Sequence, residues 1–287
     1  MKLTKHNYHT PDNTLISNSK VKLYMQSKEM YKKRYIDHEP QEINRPLKIG
    51  KMVDWAFETG DVASIYDEFP VKTKKTVLKK DCKGNPHLLA MYEEEALMIE
   101  QEKRMDQSIF VTEDEQMTAL AMSKKILGSE LYKWYKKPGM RRYFQKVVHD
   151  DRACGMLDVL VVDDKNKICY IDDLKTSTPA DMTSDKAWFW KCYKFSYFTQ
   201  MAIYKHFVQE KYPDYKVICR HMVIGSAEPY EIKLYTFEDK EIQSILKDDY
   251  EAFMSWVEEI EKETEFVDEI PIWDDAYELK KPGNGIM

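Results

Sequence analysis

Gly155-Met-Leu-Asp158-Val-Leu-Val-Val-Asp-Asp-Lys165-Asn166-Lys-Ile-Cys-Tyr-Ile-Asp172-Asp173-Leu174-Lys175 is the stretch around which this chain is read. Two β-branched-rich runs, 159–162 and 168–171, flank a polar break at 163–167. That is the pattern of a β-hairpin. A turn centred on Lys165-Asn166 sets Asp158 opposite Asp173. Directly opposed side chains stand roughly 5 Å apart, and like charges there are destabilising unless something neutralises them. Alternation puts Asp173 and Lys175 on one face and turns Leu174 away. The hairpin therefore presents two carboxylates and one ammonium at one end.

Convergent carboxylates in oxygen-only surroundings suit Mg²⁺ or Mn²⁺ better than zinc. A lysine beside such an ion can orient a water or offset a developing negative charge. The combination suits hydrolysis of a phosphodiester. Asp-x-Lys alone arises by chance in many proteins, and acids at strand ends are common. The hairpin geometry is what gives the pattern weight.

The remaining composition bounds the answer. The chain has 287 residues, 33% of them charged and 43% hydrophobic. That fits one α/β domain over 1–287 with helical decoration. No run of 18 apolar residues suggests a membrane span, and residues 1–10 lack the apolar core of a secretory signal. The five cysteines (Cys82, Cys154, Cys169, Cys192 and Cys219) form no Cys-x-x-Cys pair. This implies buried thiols in a reducing compartment and speaks against structural zinc. Net charge is −6, but it is unevenly spread. Residues 71–84 carry six lysines, Lys72, Lys74, Lys75, Lys79, Lys80 and Lys83, against Asp81. Such an arm either contacts phosphates or forms a solvated loop. Residues 248–275 hold twelve acids against Lys262, read as a solvated face.

Periodicity and punctuation predict helices over 14–35, from near Gly50 to Thr59, and over 88–102, 112–135, 188–211 and 237–263. Strands are predicted over 69–77, 140–148, 215–225 and 231–235. Thr112 with Glu115 forms a capping box. Met117, Leu120, Leu127 and Leu131 recur at helical spacing and are read as core. Tyr193, Tyr197, Gln200, Tyr204 and Phe207 are read as one face of a single long helix. A glutamine inside such a stripe needs hydrogen-bond partners if buried. His87, lone in a turn, is read as structural, and the Pro- and Gly-containing tail 267–287 as irregular.

Gly155-x-x-Asp158, Asp173-x-Lys175 and Gln200-x-x-x-Tyr204, in that order, resemble the PD-(D/E)xK nuclease superfamily in its RecB-like branch. Within it the chain resembles the phage and prophage exodeoxyribonuclease VIII type, and more distantly lambda exonuclease. Ser17-Asn-Ser19 with Leu23, and Glu228-Pro229-Tyr230, also match that type, so the likeness spans roughly 15–235. Residues 236–287 are then an acidic helical addition. The resemblance implies a restriction-endonuclease-like α/β core, a central mixed β-sheet flanked by helices. It implies a Mg²⁺- or Mn²⁺-dependent deoxyribonuclease, foremost a double-strand DNA exonuclease of recombination or DNA processing. An endonuclease, or a non-cleaving DNA-end or partner-binding module, are the alternatives.

By the same resemblance Asp158, Asp173 and the Leu174 carbonyl hold metal, Lys175 acts on the attacking water, and Gln200 and Tyr204 support the centre. Asp54 stands where relatives carry the histidine of Gly-x-x-x-His. It is either an oxygen ligand or a surface or capping carboxylate. Gln145 occupies the strand on which relatives often have a glutamate, and faces either the site or solvent. Thr176, Ser177 and Tyr197, by likeness, and Arg141, Arg142, Lys74 and Lys75, by charge, are candidates to meet DNA. Some RecB-like relatives carry an iron–sulfur cluster, and the cysteine pattern here predicts none. Expected partners are duplex ends, a single-strand annealing protein and further copies of the chain. The expected setting is the cytoplasm of a bacterial or phage-infected cell.

Overall fold

A computed structural model describes residues 3–11, 13–39, 43–74, 76–102 and 110–268. The apolar runs of the hairpin are buried on both faces, so the hairpin lies inside a sheet and not at its edge. The strands are β1 (Arg141–His149), β2 (Cys154–Asp163), β3 (Ile168–Ser177), β4 (Lys216–Gly225) and β5 (Ile232–Thr236), side by side in that order. All neighbours run antiparallel except β3 and β4, which are parallel. Val159 pairs with Asp172 and Asp163 with Ile168, the register a turn on Lys165-Asn166 requires. Asn166 closes that turn by donating its backbone and side-chain amides to Asp163, at 3.0 and 2.7 Å.

The helices are α1 (Asn18–Gln26), α2 (Lys28–Tyr31), α3 (Arg45–Thr59), α4 (Ser64–Glu68), α5 (Pro86–Glu102), α6 (Glu113–Leu127), α7 (Glu130–Tyr135), α8 (Asp185–Lys194), α9 (Tyr197–Lys211) and α10 (Lys240–Lys262). A parallel pair needs a long crossover, and α8 and α9 supply it between β3 and β4. One face of the sheet packs Leu160, Ile171, Cys219 and Val223 against α1, α9 and α10. The other packs Val159, Val161, Leu174 and Met222 against α3 and α6. The mixed sheet flanked by helices is the fold class the sequence predicts.

Several predicted boundaries move. The helix expected over 14–35 is α1 and α2 followed by a π-helical turn, Lys32–Ile36. The helix expected near Gly50 begins at Arg45, because the Asn44 side chain accepts from the Leu47 amide at 3.2 Å and Pro46 tolerates the first turn.

Among the described residues of 69–77 no strand forms; Val71 makes an isolated bridge to Val111. The amides of Thr73 and Thr76 are satisfied by Glu102 and Glu95, each at 2.9 Å. The capping box at Thr112 is present, but the helix breaks at Gly128-Ser129. Its buried face is Ala119, Leu120, Met122 and Ile126, while Met117 is exposed. The long aromatic helix also breaks, at Ser196, whose φ is +55°. Tyr193 therefore leaves the stripe and stands 70% exposed. Most of the tail lies outside the described residues. No described helix is long and apolar enough to cross a membrane.

Candidate active site

The ladder between β2 and β3 ends at Val159–Asp172. Past that pair no ladder joins the two strands at Asp158 and Asp173. On the other side of β2, Gln145 breaks the ladder of β1, with a left-handed φ of +46°. Asp158 fills the opening: its Oδ2 accepts from the Leu174 amide at 2.8 Å and its Oδ1 from Gln145 Nε2 at 3.4 Å. Gln145 thus faces the site. Leu174 contributes its amide here, while its side chain packs into the opposite core.

Asp173 is 1% exposed. Its Oδ1 accepts from Gln200 Nε2 at 3.1 Å, and its Oδ2 is ion-paired with Lys175 Nζ. Lys175 Nζ also donates to Gln200 Oε1 at 3.0 Å and lies 4.6 Å above the Tyr197 ring. One amide side chain therefore fixes both the carboxylate and the ammonium, which is the hydrogen-bonding use a glutamine in an aromatic stripe demands. Gln200 Nε2 lies 2.8 Å from the Tyr204 hydroxyl, which donates to the Met156 carbonyl at 2.7 Å.

Gly155 explains how the motifs meet. A Cβ at that position would lie 2.6 Å from Tyr204 Cε1 and 2.8 Å from Cδ1. Only glycine lets the tyrosine ring rest on β2. The three sequence motifs are thus parts of one packing arrangement.

The electrostatics are those of crowded acids. Burial, then Asp173, pushes the Asp158 carboxyl up to about 7. Burial, then Asp158 and Asp173, raises Asp54 well above the ordinary carboxylate range. Asp54 reaches the cluster from α3 and is half-buried. Burial also raises Asp173, against the opposing pull of Lys175. Burial alone would lower Lys175, but Asp173 and Asp158 outweigh it and hold the ammonium protonated.

The donor set fits a hard divalent cation. It is all oxygen: the buried Asp173 Oδ2 meets only the Lys175 ammonium, and the Asp158 and Asp54 carboxylates lie beside it. Among the described residues no three or more His, Cys, Asp or Glu side chains form a ready-made cage. The protein therefore offers the two carboxylates Asp158 and Asp173, with Asp54 beside them. Such a sparse set suits Mg²⁺, which keeps several of its waters.

The other candidates are dispersed. Ser177 is buried and accepts from Lys191 Nζ at 2.7 Å. Thr176 lies across from Gly50 of α3. Arg141 is clamped by Asp164 at 2.7 and 2.8 Å at the turn end of the hairpin, and Arg142 is bonded to the Lys137 carbonyl. Lys74 pairs with Glu113 at 3.3 Å. Lys75 lies outside the described residues. The side chains of Arg141, Arg142 and Lys74 are engaged away from the carboxylates.

Two buried groups escape sequence reasoning. His221, fully buried on β4, pairs in register with Asp173 and is walled by Trp188, Tyr197 and Phe237. Burial, then Lys175, keeps it neutral. On the opposite face Asp172 binds Arg220 at 2.5 and 2.6 Å and accepts from Tyr135 at 2.7 Å. The doublet Asp172-Asp173 is the available signal, since neighbours on a strand serve opposite faces. A cleft of about 790 Å³, lined in part by His9, Lys20, Arg34 and Lys51, opens on the surface near the start of α3. Its basic residues are too scattered in sequence to be grouped beforehand.

No protein-family model and no curated protein matches the chain. A solved crystal structure named "Putative exonuclease", from Eubacterium rectale, superposes with a TM-score of 0.55. The match covers 92% of this chain and 89% of that one, at 16% identity. The likeness is one of fold. A second solved structure, SSO0001, aligns over 83% of this chain and 84% of its own at 11% identity, but its TM-score of 0.23 carries no argument.

Proposed function

We propose that the chain is a metal-dependent deoxyribonuclease that hydrolyses phosphodiesters, acting as an exonuclease on duplex DNA in the manner of the exodeoxyribonuclease VIII type. The observation that carries this reading is the single Gln200 side chain holding Asp173 and Lys175 together beside Asp158. The fold shared with a protein named as an exonuclease supports it.

Asp158 and Asp173 would hold a divalent cation, with Asp54 as the third oxygen donor at hand. Such an ion, when bound, polarises a phosphoryl oxygen and makes a neighbouring water easier to deprotonate. Lys175, kept charged by its carboxylate partners, offsets the negative charge that grows on the phosphoryl oxygens as the water oxygen bonds to phosphorus. The bond from phosphorus to the ester oxygen breaks, and a proton from the water ends on the departing hydroxyl. Gln200 fixes the lysine in place, and Tyr204 fixes Gln200.

End-labelled linear duplex incubated with the protein and Mg²⁺ should yield nucleotides, and EDTA should stop the release. Covalently closed circular DNA should stay whole; its cleavage would make the enzyme an endonuclease. No release with Mg²⁺ or Mn²⁺ would refute the hydrolytic reading. Lys175→Ala should lower the rate about 10²–10³-fold, as loss of one pre-positioned charge does.

A further inference from the structure

Before the break at Ser196, α8 buries Trp188 and Cys192 but turns an aromatic face outward. Trp190 is 56% exposed, Tyr193 70% and Phe195 38%. Trp190 and Tyr193, one helical turn apart, meet edge to face at 6.2 Å. Exposed aromatics grouped in this way mark a contact surface.

Cations gather round Phe195, at the C-terminal end of this face. Lys22, Lys191 and Lys194 lie 5.2, 5.7 and 5.7 Å from the Phe195 ring. Lys191 is paired with Asp181 at 2.7 Å. Lys22 and Lys194 make no ion pair among the described residues. The patch also runs into the candidate active site. Phe195 stacks on Tyr197 at 5.8 Å, and the Tyr197 ring lies under Lys175.

We propose that Trp190, Tyr193 and Phe195 form a stacking platform for the unpaired bases of a nucleic-acid strand, with Lys22 and Lys194 tracking its phosphates into the site at Lys175. Flat, exposed rings accept any base face, and interleaved lysines match the charge of the backbone. A duplex offers few free base faces, so the platform favours single strands and frayed ends. This inference rests on the nucleic-acid reading of the site and specifies which form of the strand is held.

The test is equilibrium binding of a fluorescein-labelled single-stranded oligothymidylate and a blunt duplex of equal length. The full chain is used in EDTA, with the hydrolysis assay run separately in Mg²⁺. Trp190→Ala and Tyr193→Ala should each weaken single-strand binding about tenfold. Duplex binding should change less than twofold, and Trp190→Phe should restore most of the loss. Both residues are more than half exposed, so unchanged melting curves should accompany the loss. Alanine variants that bind the single strand as the wild type does would overturn the platform. So would equal losses on both DNAs, or no single-strand binding by the wild type. A changed sedimentation coefficient with unchanged DNA binding would overturn it in favour of a contact between copies. Absence of hydrolysis with selective single-strand loss would refute the nuclease reading and leave the platform standing.

Discussion

Asp158 and Asp173 are near neighbours by register, and the protein spends much of its local hydrogen bonding on keeping them so. The consequence is a pH-dependent stability. A carboxyl raised from 3.8 to about 7 on folding makes the folded chain hold an extra proton between those values. Stability contributed by Asp158 is then lost as pH rises through that window. In EDTA, Asp158→Asn should therefore match the wild type near pH 4 and exceed it above pH 7. A gain of about 1 kcal/mol there would raise Tm by roughly 2–4 °C. Millimolar Mg²⁺ should stabilise the wild type at pH 8 by mass action and leave Asp158→Asn nearly unmoved. Differential scanning calorimetry across pH, with and without the metal, checks both outcomes. Gly155→Ala should cost about 1–3 kcal/mol in chemical denaturation, because the added methyl meets a ring held on both sides.

The elements show what a sequence discloses and what it withholds. The hairpin and its register were legible, because alternation and a polar turn are local signals. So were the capping box at Thr112 and the convergence of Asp158, Asp173, Lys175, Gln200 and Tyr204. The break at Ser196 was not. The aromatic spacing continues across it, and only the left-handed backbone there interrupts the helix. Ser196→Gly should relieve that conformation and be neutral or stabilising by up to about 1 kcal/mol, whereas Ser196→Val should destabilise by more. Thermal melts of the pair decide whether the break is held by packing. Arg220 was equally silent, an ordinary strand residue until β4 is set beside Asp172. Its guanidinium lies 4.9 Å from the Trp134 ring and 4.4 Å from Tyr170, fastening α7 to the sheet. Asp172→Ala would strand that buried cation and should cost about 3–5 kcal/mol, measured in urea.

At the scale of the molecule, the two apolar layers are unequal in origin. The layer over α3 and α6 comes from residues before the hairpin, whereas the opposite layer is completed from beyond it. Residues 236–287 read as an appended acidic helix. That helix is amphipathic in sequence, and its apolar positions Leu246, Phe253, Val257 and Ile260 are buried in the same core as Phe198 and Met201 of α9. The acidic residues form the outer side of a helix whose inner side is structural. Phe253→Ala should therefore cost about 3–5 kcal/mol, visible as a lower urea midpoint. The crossover between the parallel strands has a consequence of its own. The hairpin brings two acids and an amine, but their shared clamp, Gln200, arrives only after the chain has travelled through α8 and into α9. A nascent or nicked polypeptide lacking that return segment holds every charged group of the centre without the means to aim them. Asp173 and Lys175 gain their shared amide partner only when the closed tertiary structure forms.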